Sequence, residues 1–158
     1  MDAGRRNALR SGGGLTLAAL LGAAGWLEPD RAFAQAAWNK AAFDTHDLRD
    51  TTKALGGGDA VQSKDIEFFQ TPEIAENGAV VPVGVTSKLP KTEAIAILVE
   101  KNPNMLAAVF DIPAGTEPTI TTRIKMAQTS NVYALVKADG RFYVAAKEIK
   151  VTLGGCGG

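Results

Sequence analysis

NVYALVKADGRFYVAAKEIKV, residues 131–151, decides the fold class. Asn131–Lys137 and Arg141–Val151 are rich in β-branched and aromatic residues, and Ala138-Asp139-Gly140 separates them. Asp-Gly between two such runs is a strong hairpin signal, because a tight turn there needs backbone angles that these residues tolerate. In the second arm Phe142, Val144, Ala146, Glu148 and Lys150 share one face, while Tyr143, Ala145, Lys147, Ile149 and Val151 share the other. Neither face is apolar throughout. The strand is therefore expected to change burial along its length or to bulge.

Upstream, short runs of the same character follow one another between turn residues. Asp65–Gln70 is ended by Thr71-Pro72, and Asn77-Gly78 turns the chain into the valine-rich Ala79–Thr86. Pro82 lacks a ladder donor, which points to an edge strand or a bulge. Glu93–Glu100 (EAIAILVE) is the most apolar run and the expected central strand. After the Asn102-Pro103-Asn104 turn come Leu106–Ile112, broken by Pro113-Ala114-Gly115, and Thr119–Met126. Six or seven strands in about 90 residues indicate an all-β, immunoglobulin-like β-sandwich.

A helix precedes the strands. Trp38, Ala41, Leu48 and Leu55 fall on one stripe of Ala37–Leu55, with Thr45 and Thr52 on the intermediate turns, and Gly56-Gly57-Gly58 ends it. Further upstream, Arg5 and Arg6, a mild apolar run from Leu15 to Leu27 and the small-residue pattern Ala32-Phe33-Ala34 make a twin-arginine export signal. Gly4 and Ala8 depart from the usual residues of that signal. A transmembrane anchor is the alternative, but the apolar run is short of the roughly 20 residues a span needs. The expected organisation is a signal over residues 1–34, a helix-plus-sandwich domain over 35–151 and an arm over 152–158, with a periplasmic mature protein.

Charge excludes two classes of partner. Beyond residue 34, 13 of the 17 basic and 14 of the 17 acidic residues remain, so no electrostatic case exists for nucleic acid or an anionic membrane. His46 is the only histidine and is read as a solvated helix residue. With one histidine and one cysteine, neither a metal site nor a Ser-His-Asp constellation is expected. The domain does not read as an enzyme.

What remains is the tail, GGCGG. Cys156 lies between Gly154-Gly155 and Gly157-Gly158, without the apolar neighbours that bury a structural cysteine. Four glycines make a flexible, narrow tether, and from Val151 the thiol could range roughly 15–18 Å. An unpaired cysteine in an oxidising compartment is a reactive thiol or half of an intermolecular disulfide. No Lys or Arg lies within five residues of Cys156. An ordinary thiol pKa near 8.5 is expected, so a partner's pocket must activate it.

The twin-arginine signal, AENGAVVPV (Ala75–Val83), VEKNPN (Val99–Asn104), TTRIKMAQTSNVYALVKADGRFY (Thr121–Tyr143) and VTLGGCGG (Val151–Gly158) together resemble the SoxY family. Its members are sulfur-carrier subunits of the periplasmic thiosulfate-oxidising system. The resemblance implies that Cys156 is the covalent attachment point for sulfur intermediates and that this chain carries no cofactor. It implies a heterodimer with a SoxZ-like β-sandwich subunit. It further implies transient docking to a haem enzyme that joins thiosulfate to the thiol, a hydrolase that releases sulfate and a sulfur dehydrogenase. The rival reading is an exported structural sandwich whose tail cysteine forms an intermolecular disulfide.

Overall fold

The computed structural model describes residues 39–152. Two short helices, α1 (Lys40–Phe43) and α2 (Leu48–Ala54), precede nine strands. These are β1 (Val61–Gln62), β2 (Ile66–Phe69), β3 (Ile74–Ala75), β4 (Val81–Ser87) and β5 (Thr92–Val99). β6 (Leu106–Asp111), β7 (Thr119–Ile124), β8 (Ser130–Ala138) and β9 (Arg141–Val151) follow. They form an immunoglobulin-like β-sandwich of two sheets, one ordered β1-β9-β8-β5-β6 with β3 also on β9, the other β2-β4-β7.

The β8–β9 hairpin is the longest ladder, paired from Ser130↔Ile149 to Ala138↔Arg141. Asp139 (φ 49°) and Gly140 (φ 73°) both turn left-handed, as a two-residue hairpin loop requires. One face of the large sheet packs on the small sheet. Ile95, Ile97, Val99, Val132, Val136 and Ile149 meet Ile66, Val81, Val83, Val85, Ile120 and Ile124 there, all buried. The other face carries Ala96, Leu98, Leu106, Leu135, Phe142 and Val144 beneath Ala42, with Phe43, Leu48 and Leu55 packed on them. β5 is therefore buried on both faces, which is why EAIAILVE reads as one apolar run rather than an alternation. It lies inside the sheet between β8 and β6, and β8 takes the middle place.

Three local outcomes differ from the sequence reading. The helical stretch over Ala37–Leu55 (Ala37 and Trp38 lie outside the described residues) breaks between Asp44 and Asp47. Asp47 caps α2 by accepting from the Asp50 amide at 2.7 Å. The Thr45 hydroxyl lies 2.6 Å from both the Ala42 carbonyl and the Thr51 hydroxyl. Short polar side chains here offer the backbone bonds that compete with a continuous helix. Ala42, not Ala41, faces the sheet. Second, β4 is the central strand of its sheet, yet it tolerates Pro82. β2 pairs only with Gly84–Ser87, so at Pro82 the strand has β7 on one side alone. Third, β1 and β3 are two-residue strands running parallel to β9, at Tyr143–Val144 and Lys150–Val151.

Helix α2 ends as its glycines direct. The Gly56 amide donates to the Lys53 carbonyl and the Gly57 amide to the Thr52 carbonyl, both at 2.9 Å, and Gly56 has φ 85°. This paired arrangement satisfies carbonyls the helix leaves open.

Candidate functional site

The strand that leads to the tail is fastened at its last two described positions from opposite sides. Along β9 the even-numbered residues turn their amides and carbonyls to the β1/β3 side. The Val144 carbonyl accepts from the Ser63 amide at 3.0 Å, and the Lys150 amide donates to the Glu73 carbonyl at 2.9 Å. Odd-numbered residues face β8, whose ladder stops at Ser130↔Ile149. One step beyond, the Val151 amide would have no backbone partner. The Thr129 hydroxyl accepts from it instead, at 2.9 Å. Thr152 is held on the other side: its amide donates to the Ala75 carbonyl at 3.1 Å and its hydroxyl to the Glu76 carbonyl at 3.1 Å.

The supports of this clamp are themselves tied down. Asn102 donates to the Lys125 carbonyl at 2.8 Å and accepts from the Ala127 amide at 3.1 Å, joining the β5–β6 turn to the loop that carries Thr129. The Ser130 hydroxyl donates to the Asn131 carbonyl at 3.0 Å and accepts from the Lys101 amide at 3.1 Å. On the β3 side, Asn77 accepts from the Ala79 amide at 2.8 Å and shapes the turn after Glu76. Lys147 interrupts the apolar residues on the inward face of β9; it reaches the Thr71 carbonyl at 2.5 Å, so its ammonium is not left unpaired.

His46 lies in the break between α1 and α2 rather than on a helix, exposed, and its Nδ1–H donates to the Pro103 carbonyl at 2.7 Å. Burial pushes the Tyr133 hydroxyl up, and the Glu100 carboxylate adds to the shift, so the phenol stays protonated. A groove of about 330 Å³ beside Leu55 and Phe142 has Ala94, Ala96 and Val109 on its floor and the Glu93–Lys137 ion pair at its rim. No Ser, Thr or Cys lines it. Among the described residues no group of three or more His, Cys, Asp or Glu could hold a metal.

Cys156, Gly154, Gly155, Gly157 and Gly158 lie outside the described residues, as do Arg5 and Arg6. The structure therefore reaches the root of the proposed arm but not its thiol. Thr129 and the Ala75–Glu76 carbonyls escaped the sequence reading. Each acts on a residue far along the chain, and hydroxyl-to-backbone bonds of that kind leave no periodic trace.

Comparison with known proteins adds a family. The family described as "Sulfur oxidation protein SoxY" matches residues 51–156. The structure of the sulfur carrier protein SoxY from Chlorobium limicola f thiosulfatophilum is 37% identical, with a TM-score of 0.57 over 66% of this chain and 96% of that one. Two superoxide reductase (neelaredoxin) structures from Ignicoccus hospitalis are 21% and 20% identical, with TM-scores of 0.47 and 0.48. They cover 54% and 68% of this chain and 78% and 90% of their own. Among curated proteins no significant match is found.

Proposed function

Because this chain belongs to the SoxY family of sulfur oxidation proteins, we propose that it is a periplasmic sulfur carrier that holds thiosulfate-derived intermediates covalently on Cys156. The observation that carries this reading is the extent of the family match, which runs to residue 156, the position of the only cysteine. The placement of β9 supports it: the strand ends at Val151, five positions before that cysteine.

The chemistry needs two partner reactions. In the first, the Cys156 sulfur and the outer sulfur of thiosulfate form an S–S bond. The thiol proton leaves, and two electrons pass to a haem-containing partner, giving a cysteine S-thiosulfonate. In the second, water cleaves the bond between the outer sulfur and the sulfone group, releasing sulfate and a proton and leaving a persulfide on Cys156. A sulfur dehydrogenase, where the pathway includes one, oxidises that outer sulfur before further hydrolysis. This chain supplies the attachment atom and the tether. Gly154, Gly155, Gly157 and Gly158 leave the thiol slim enough to enter successive pockets, and the covalent link keeps a reactive sulfur species near each docked enzyme. A SoxZ-like subunit completes the carrier, and the signal around Arg5 and Arg6 exports it.

Intact mass spectrometry of the protein from cells growing on thiosulfate tests this reading. Cys156 is expected to carry thiosulfonate or added sulfur mass, and Cys156→Ser is expected to abolish thiosulfate oxidation while leaving the fold intact. Finding only a disulfide-linked dimer, or full oxidation by Cys156→Ser, would overturn it.

A further inference from the structure

Resting on the carrier reading above, we infer that Thr129 and Thr152 are positioning residues that fix where the carrier arm begins, and so set how far its thiol ranges. The two-sided clamp extends β9 beyond its ladder. Backbone pairing with β8 ends at Ile149; beyond it the backbone of Val151 and Thr152 is bonded by Thr129 on one side and Ala75–Glu76 on the other, while the Val151 side chain rests on the inter-sheet core. β3 itself is two residues long, a shallow anchor without Thr129 opposite it. With the clamp closed, Cys156 lies four positions after the last held residue, Thr152; with it open, seven positions after Ile149. For a flexible segment the root-mean-square span then grows from about 10–12 Å to about 13–16 Å. Dilution of the thiol at a docked pocket follows the −3/2 power of length, roughly a twofold loss. The three added residues must also be ordered at each docking, and each costs further affinity. The chemistry at sulfur is untouched.

The consequence is a split in kinetics. Thr129→Val keeps the shape of the side chain and removes the acceptor, whereas Thr129→Ser keeps the acceptor. In the full mature protein, amide exchange at Val151 and Thr152 should be slow in the native chain, at least tenfold faster in Thr129→Val, and slow again in Thr129→Ser. In the thiosulfate-joining reaction, KM for the Thr129→Val carrier should rise several-fold with kcat unchanged, and Thr129→Ser should restore it. Thr152→Val, which removes the bond to Glu76, should act in the same direction. Native exchange rates in Thr129→Val would sink the clamp itself; freed amides with an unchanged KM would sink its role in delivery. The exchange result does not depend on sulfur chemistry, so it stands even if Cys156→Ser proves that the carrier reading is wrong.

Discussion

Phe142 and Lys150 sit on the same face of β9 and meet different surroundings. Phe142 and Val144 are covered by the helical segment, whereas Ala146, Glu148 and Lys150 stand exposed. The opposite face is apolar for nearly the whole strand, with Tyr143, Ala145, Ile149 and Val151 in the inter-sheet core. The change of burial expected from the mixed faces is thus what the structure shows, and its cause is the short reach of α1 and α2. One half of the strand is held by burial. The half that leads to the tail is held on its outer side by hydrogen bonds alone. Buried packing fixes a strand permanently, while a few hydrogen bonds at an exposed end can open and close.

The largest break in the contrast comes from Phe142→Ala. It empties the site beside Leu55 and Gly57 and should destabilise the domain by about 3–5 kcal/mol. Lys150→Ala, on the same face, should stay within about 0.5 kcal/mol. Urea unfolding of both variants gives the comparison directly, and equal losses would show that the two halves are not held differently. The next effect is smaller and of opposite cause. A Cβ at Gly57 would overlap the Phe142 ring at Cδ2 and Cε2, and the ring is itself buried. Gly57→Ala should therefore cost about 1–3 kcal/mol through overpacking. If the double variant Gly57→Ala/Phe142→Ala loses no more than Phe142→Ala alone, the clash is confirmed as the cause.

The covered half was also the more legible in the sequence. β-branched runs and the Asp139-Gly140 turn disclose the hairpin, and continuous apolarity discloses β5. In both cases the signal is local or repeats along one strand. The break at Asp44–Asp47 was hidden because the stripe of Trp38, Ala41, Leu48 and Leu55 runs straight through it, while the cause is a set of caps by Thr45 and Asp47. β1 and β3 were hidden because two residues have no period, and only β9 makes them strands. At the tail end, GGCGG reads as a thiol on a tether, and those residues lie outside the described ones. Where the tether starts depends on Thr129 and Glu76, residues that meet Val151 and Thr152 only after folding.

The smallest effect lies at the covered end, in the braces of the hairpin turn. Glu93 accepts from the Gly140 amide at 2.9 Å and pairs with Lys137 at 3.1 Å, while Lys91 pairs with Asp139 at 2.9 Å. The Gly140 amide first, then Lys137, holds the Glu93 carboxyl below its ordinary range, and Lys91 does the same for Asp139. Asp139 in turn raises Lys91. For the two carboxylates the stabilisation is complete above their unfolded values, near pH 4, and is lost as pH falls through the lower folded values. For Lys91 it is complete below the ordinary lysine value of about 10.4 and is lost as pH rises through the raised one. All three groups face solvent, so salt screens the pairs and the effect is slight. Glu93→Gln should thus melt slightly below the native protein at pH 7 and together with it at pH 2, with the gap at pH 7 narrowing in high salt. Lys150→Ala, at the other end of the same hairpin, should show no such convergence. A Glu93→Gln gap that persisted undiminished in acid would mean that packing, not the carboxylate, braces the turn.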